Sequence, residues 1–406
     1  MRAMELLIPA GNLEKLRTAL FYGADAVYVG VAGLSLRAES AEMSLDELAT
    51  GIGEAHRGGV KVYAALNTFA RDSDLPSVKE TVGALADQGA DAVILSDPGV
   101  LALVRRNAPH LPVHLSTQAN TTNSAAVRFW LEQGVRRMVL ARELNLAEIG
   151  AIRREVPEAE LEIFAHGAMC MAYSGRCFLS AFRNRRSANR GDCTQPCRWE
   201  YRMVEATRPG DPFRVEEDAR YSYLLSSKDL CMIEYLPEIA AAGVVSLKVE
   251  GRMKSPYYVA AVTRAYRWAL DAFRNDPAHY CCPPEFLAEL AKISNRGYTT
   301  GFYFATERIT EVNPDEKYRQ THDLVGTVLE YDRPQRRALV GVRNRLSAGD
   351  EVDLLLPDAT IGLDTETFTD EHGLPLREAH NGYRVYFPLP EEVPAGAVLR
   401  RKLPMS

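Results

Sequence analysis

Short apolar runs alternate with amphipathic stretches from residue 5 to residue 252, and this repetition predicts the fold. The apolar runs begin at Glu5 (ELLIPAG), Ala26 (AVYVG), Lys61 (KVYAALNT), Ala92 (AVILSDPG), Pro112 (PVHLSTQAN), Arg137 (RMVLARELN), Leu161 (LEIFAHG) and Val244 (VVSLKVEGR). Between them, Leu13 to Tyr22, Leu45 to His56, Val78 to Asp87, Ser124 to Glu132 and Leu146 to Glu155 repeat apolar residues at helical spacing. Gly23, Gly58, Gly89, Gly134 and Gly243 close several of these stretches, as helix C-termini favour. Strands apolar on both faces and alternating with helices predict a parallel sheet. Eight such units predict a closed (β/α)8 barrel of the TIM type rather than an open doubly wound sheet.

The pattern changes near residue 310. From His322 onward the chain reads as short alternating strands, LVGTVLEYD, RRALVGVRNRLSAGDEVDLLLP and GYRVYFPLP, separated by Gly, Pro, Asn and Asp turns. This predicts a small C-terminal β-barrel. The expected domains are a (β/α)8 barrel over 1–275 with an insertion at 168–225, a bridging segment over 276–320, and the β-barrel over 321–406. In the stretch after Lys254, Ser255 is the expected N-cap, Pro256 the first helical residue, and Tyr257, Tyr258, Tyr266 and Trp268 packing residues.

In a barrel of this kind the site lies at the C-terminal ends of the strands. Those ends carry Asn67, Asp97, His114, Gln118, Asn120, Arg142, Glu143, His166, Lys248, Glu250 and Arg252. Lys248, Glu250, Arg252 and Lys254 alternate, which predicts one face at the end of the last strand and an anionic ligand for its basic members. A solvent-facing ladder of ion pairs is the plainer reading. Within the site Lys248 and Arg252 are candidates for handling an anionic donor or a base, Glu250 for general base and His166 for proton shuttle.

Four of the seven cysteines fall together in the insertion: Cys170, Cys177, Cys193 and Cys197. Six, fifteen and three residues separate them, so the paired two-residue knuckles of structural zinc sites are missing. A [4Fe–4S] cluster, which tolerates irregular ligand spacing on a long loop, is favoured over structural zinc or disulfides. The loop starts at the end of the seventh strand, so the cluster is expected to cap the barrel mouth. Cys231 reads as core, while Cys281 and Cys282 have no evident partners.

No signal peptide or membrane span is readable, which points to a cytoplasmic protein with reduced thiols. The composition, 46% hydrophobic and 25% charged, is that of an ordinary globular chain, and the net charge of −6 excludes a global pull toward nucleic acid. A local patch remains: Arg183, Arg185, Arg186 and Arg190 lie between the second and third cysteines, with Arg198 just after the fourth. They are candidate RNA phosphate contacts, with a solvated charge run as the alternative. No HExxH helix or GxSxG elbow is present.

The stretch EIFAHGAMCMAYSGRCFLS at 162–180 resembles the signature of peptidase family U32, the collagenase-like peptidases. ELLIPAGNLEKLRTALFYGADAVYVG, NRGDCTQPCRWEY, SSKDLCMIEYLPEI, AGVVSLKVEGRMKSPYYVA and NRGYTTGF resemble the family too. The resemblance implies that Cys170, Cys177, Cys193 and Cys197 ligate a [4Fe–4S] cluster and that the activity is oxygen-independent hydroxylation. It is strongest to a subgroup that converts the wobble uridine of tRNA to 5-hydroxyuridine with prephenate as co-substrate. Other members imply different substrates, a ribosomal RNA cytidine or a ubiquinone precursor. Proteolysis, and a non-catalytic role as an RNA-binding iron–sulfur partner of a paralogous family member, are the remaining alternatives; the electron donor is left unassigned.

Overall fold

The structure, a computed structural model, describes residues 4–35, 42–170, 172–199, 227–304 and 318–404. Eight parallel strands close into a barrel: β1 (Glu5–Ala10), β2 (Ala26–Gly30), β3 (Lys61–Ala65), β4 (Ala92–Leu95), β5 (Val113–Leu115), β6 (Arg137–Val139), β7 (Glu160–Ala168) and β9 (Ser246–Val249). Closure comes from β9, which pairs in parallel with both β1 and β7. Every strand predicted from the apolar runs is present. Helices α1 (Leu13–Phe21), α2 (Leu45–Arg57), α3 (Leu75–Asp87), α4 (Pro98–Asn107), α5 (Ser124–Glu132), α6 (Leu146–Glu155), α8 (Leu236–Ala241) and α9 (Pro256–Asn275) surround them, and the short α7 (Leu179–Asn184) lies in the insertion.

Local chemistry starts and stops these helices. Asn12, Ser44, Asp97, Asn123, Asn145 and Ser255 each accept a backbone N–H of the first turn, and Ser44 with Glu47 and Asn145 with Glu148 complete capping boxes. Gly23, Gly89, Gly134 and Gly243 adopt positive φ after their helices; beyond α2 that conformation belongs to Gly59, not Gly58. Apolar side chains between strands and helices form the main core, while Leu7, Tyr28, Tyr63, Ala65 and Ile94 form a second cluster.

The insertion leaves from β7 and returns through β8 (Asp229–Cys231), which runs antiparallel to the end of β7, with Ala168 opposite Asp229. The second half of the insertion, 200–226, lies outside the described residues. The expected bridge contains α10 (Pro284–Lys292) and β10 (Tyr298–Thr299), and β10 extends the sheet beside β8. There Arg296 pairs with Asp229 at 2.7 Å, both buried.

Residues 322–402 form an antiparallel β domain where the small β-barrel was expected: β11 (His322–Asp332), β12 (Arg337–Val342), β13 (Leu346–Ser347), β14 (Val352–Leu355), β15 (Thr360–Leu363), β16 (Phe368–Thr369), β17 (Pro375–Leu376), β18 (Glu378–Ala379), β19 (Arg384–Pro388) and β20 (Val398–Lys402). Eight of these strands hydrogen-bond in the order β15-β14-β20-β11-β12-β19-β16-β17. The domain docks on α1, α9 and α10. Tyr22 donates to the Leu355 carbonyl at 2.8 Å and accepts the Val398 N–H at 3.1 Å. Arg400, 1% exposed, reaches both Glu289 and Asp353. No helix among the described residues is long and apolar enough to cross a membrane.

Candidate active site

A cavity of about 290 Å³ opens at the C-terminal mouth of the barrel, near the lower limit for small-molecule pockets. Its wall brings together Cys170, Cys177, Cys193 and Cys197 from the insertion and Lys248, Glu250 and Arg252 from the last strand and its loop. Asn67, Gln118 and Arg142 from other strand ends complete the polar lining, and Tyr28, Ile94 and Phe164 supply apolar wall. Alternation accounts for Lys248 alone. β9 ends at Val249, and Glu250 and Arg252 reach the cavity from a loop in which Gly251 has φ +148°. A side chain at Gly251 would meet the Tyr258 ring at 2.6 Å, so this close turn requires glycine. Lys254 does not line the cavity; its Nζ lies 5.4 Å from the Tyr258 ring centre and 3.4 Å from the Ser294 carbonyl.

Lys248 is held from below and behind. Its Nζ donates to Glu162 at 3.3 Å and sits 3.9 Å from the Tyr28 ring centre. Burial lowers its pKa, and the Glu162 carboxylate opposes that shift. Glu162 in turn accepts from Arg137 at 3.3 Å, and Arg137 also pairs with Glu160 at 3.0 Å and with Glu5. A chain of alternating charges therefore runs from the N-terminal end of the barrel to the cavity. Sequence reading missed it, because Arg137 and Glu162 sit inside runs classified by their apolar neighbours. Tyr63 and His114 line the same interior, 4.6 Å apart by ring centres, and burial holds His114 neutral.

Arg252 donates to Ser35 at 3.1 Å, and Ser35 donates to Glu42 at 2.8 Å, tying the last loop to the loop after β2. Asn67 donates to Gln118 at 2.9 Å and Ser116 donates to the same oxygen at 2.7 Å, which fixes the amide at the cavity edge. Arg142 lies over the Phe164 ring at 3.9 Å and donates to the Ala168 carbonyl. Its guanidinium is thereby held over β7 and bonded to the residue from which the insertion leaves.

The insertion is tied down at several points. Glu143 accepts both the N–H and the hydroxyl of Ser174 at 2.6 Å. Arg176 donates to the Gln118 carbonyl at 2.7 Å. Arg190 forks onto Asp74 at 2.8 and 3.2 Å and donates to the Phe69 carbonyl. Of the four arginines expected to face RNA, Arg190 is thus an anchor of the insertion, and Arg186 pairs with Asp192 at 2.9 Å. Arg183 and Arg185 are exposed, while the side chain of Arg198 lies outside the described set.

None of the four cysteines is joined in a disulfide: Cys193 is exposed and Cys170, Cys177 and Cys197 are partly buried. Cys177 Sγ accepts the Leu179 N–H at 3.3 Å. Among the described residues no group of three or more His, Cys, Asp or Glu side chains is arranged to hold a metal ion. The donor type nevertheless suits a four-iron cluster, because all four cysteines line the one cavity.

His166 is corrected by the structure. Alternation from Glu162 and Phe164 aims it into the barrel, but the β7–β9 pairing slips between Phe164 and His166, so His166 stands opposite Val249. This bulge turns the imidazole outward among Tyr258, Tyr266 and Tyr298, with ring centres at 6.1, 5.5 and 5.4 Å. It is 1% exposed, does not line the cavity, and burial lowers its pKa to about 4. Asp97 caps α4 instead of facing a ligand. Cys231 is core as expected, its thiol pushed up to about 12 by burial.

Fold and site together define a (β/α)8 barrel whose mouth is lined by a thiol-bearing insertion and whose last strand presents a buried lysine. The chain belongs to peptidase family U32: the family model matches residues 11–313, and the model of the family's C-terminal domain matches 320–400. It is 39% identical over 401 residues to tRNA hydroxylation protein P1 of Bacillus subtilis, covering 98% of this chain and 94% of that one. It is 37% identical over 432 residues to tRNA hydroxylation protein P of Escherichia coli, covering 96% and 94%. The 23S rRNA 5-hydroxycytidine C2501 synthase of Escherichia coli is 35% identical over 398 residues, 97% of this chain but 57% of the synthase.

Proposed function

We propose that this chain is a tRNA-modifying enzyme that hydroxylates the wobble uridine to 5-hydroxyuridine without molecular oxygen, with prephenate as co-substrate. The observation that carries this reading is the convergence of four thiols with Lys248, Glu250 and Arg252 on one cavity at the catalytic end of the barrel. The near full-length likeness to two proteins named for tRNA hydroxylation supports the substrate class. Cys170, Cys177, Cys193 and Cys197 are the residues to hold a [4Fe–4S] cluster; four thiolate ligands leave no open iron position, so such a cluster supplies electron transfer or a structural anchor. Lys248, Arg252 and the stacked Arg142 give the cavity a basic wall suited to the carboxylates of an anionic donor. Glu250, whose Oε2 lies 3.5 Å from the Tyr28 hydroxyl, is the one carboxylate among the described lining residues and is placed to take a proton from the base.

Proteolysis fits the geometry poorly. No histidine lines the cavity among the described residues, so its cysteines have no imidazole there to act as base. The test is deletion of the gene followed by mass spectrometry of tRNA nucleosides. Loss of 5-hydroxyuridine derivatives, restored by the intact gene but not by Cys177→Ser, is expected; unchanged levels on deletion reject the reading. Anaerobic purification with iron and sulfide analysis tests the cofactor separately, and one equivalent of zinc without labile sulfide rejects the cluster.

A further inference from the structure

Two aromatic side chains on the cysteine insertion are left outside every core. Phe178 and Phe182 are 82% and 84% exposed, the most exposed large apolar residues among those described. They lie one helical turn apart, with the Phe182 N–H on the Phe178 carbonyl at 2.8 Å, so they share one face at the start of α7. Phe178 directly follows Cys177, which lines the cavity, so the pair sits at the rim. Phenylalanines side by side in water mark a contact surface.

Charge identifies the occupant. Residues 172–199 contain six arginines and a single acidic residue, Asp192, in a chain whose net charge is −6. Arg183 and Arg185, both exposed, follow Phe182 one and three residues on in sequence. A basic segment carrying solvent-facing aromatics is the chemistry that binds single-stranded nucleic acid, with bases on the rings and phosphates on the guanidinium groups. An apolar protein partner needs the phenylalanines but not the arginine excess. Paired RNA keeps its bases stacked inward and offers the rings nothing.

The geometry points to Phe178 and Phe182 as a stacking platform for unpaired bases of an RNA loop, next to the base delivered into the cavity. The platform rests on the tRNA reading above and adds how the loop is held. It also explains why the insertion is pinned to the barrel by Arg190 and Asp74: a platform aligns a base only if it does not move relative to the mouth.

The test measures binding of the full-length protein, purified anaerobically, to a hairpin with an open loop of anticodon size and to a fully paired RNA of equal length. Wild type is expected to prefer the open loop. Phe178→Ala/Phe182→Ala and Phe178→Leu/Phe182→Leu should weaken loop binding by about tenfold or more, while Phe178→Trp/Phe182→Trp stays within about threefold of wild type. Because both side chains are exposed, thermal melting should be unchanged in all three variants. Loop affinity unchanged in the alanine variant overturns the platform and leaves the tRNA reading standing. Leucine variants that bind as well as the tryptophan ones overturn base stacking in favour of a general apolar contact. Wild-type protein that binds neither RNA overturns the platform and the tRNA reading together.

Discussion

Replacing Glu162 by glutamine tests whether the barrel interior is held as a charge-balanced chain. The carboxylate is 0% exposed and lies between Arg137 and Lys248, each at 3.3 Å. The two cations do not depend on it equally. Arg137 keeps Glu5 and Glu160, whereas Lys248 is left with the Tyr28 ring face, the weaker pull of the Glu250 charge and an amide where its carboxylate stood. Breaking one side of a buried ion pair costs about 3–5 kcal/mol. The amide oxygen of glutamine still accepts a hydrogen bond, so the lower end, about 3 kcal/mol, is expected near neutral pH. The cost should depend on pH in a definite direction. Burial already places the Lys248 pKa below its ordinary 10.5 and Glu162 opposes that shift, so the variant moves further down. Between the folded value and 10.5 the unfolded chain binds the extra proton, so stability rises with pH there, and over a wider range in the variant. The deficit should narrow as pH rises from neutral toward 10.5. Urea unfolding of both proteins at about pH 6.5 and about pH 9.5 measures this. A variant within about 0.5 kcal/mol of wild type at the lower pH, or a deficit that fails to narrow, refutes the reasoning.

Asp74→Asn should cost at most about 1 kcal/mol of global stability, because the pair with Arg190 is partly exposed, yet should open the insertion to limited proteolysis; unchanged cleavage rejects the anchor. Since Arg190 holds the Asp74 carboxyl at about 2, below its usual 3.8, this contribution is complete above 3.8 and fades as pH falls toward 2. His166→Phe should preserve hydroxylation in cells, given an imidazole packed among tyrosines; loss of 5-hydroxyuridine in a stably folded variant restores the proton-shuttle role. Arg400→Ala leaves Glu289 with Lys292 at 3.2 Å and Arg264 at 3.8 Å and should destabilise by about 3 kcal/mol, the lower end for a broken buried pair, with the β domain and barrel melting separately in calorimetry; a single unshifted transition counts against it.

The strands were legible because each is buried on both faces, which leaves a continuous apolar run that few other structures produce. The thiol-lined mouth was legible because the cysteine loop follows a strand whose end is marked by HisGly. Three things were hidden. Asp97 at a strand end has the same sequence appearance whether it caps a helix or faces a ligand, since both need a short polar side chain there. The slip at Ala165 leaves no mark in composition, yet it reverses the facing of His166. Arg137 and Glu162 looked incidental because a residue's partners in a barrel come from other strands, here β1, β6, β7 and β9.

The hairpin-like junction of β7 with β8 has an engineering consequence. Ala168 and Asp229, paired across it, make the excursion begin and end at one spot on the rim, so the chain leaves and rejoins the barrel at a single seam whatever else the insertion touches. The length of chain between those points can be altered at small cost, about 0.6 kcal/mol for each doubling of a flexible loop. A family built on this seam can exchange what stands over the mouth, lengthening it, shortening it or refitting its aromatic and basic surface, while the strands that carry Lys248 and Glu162 stay as they are.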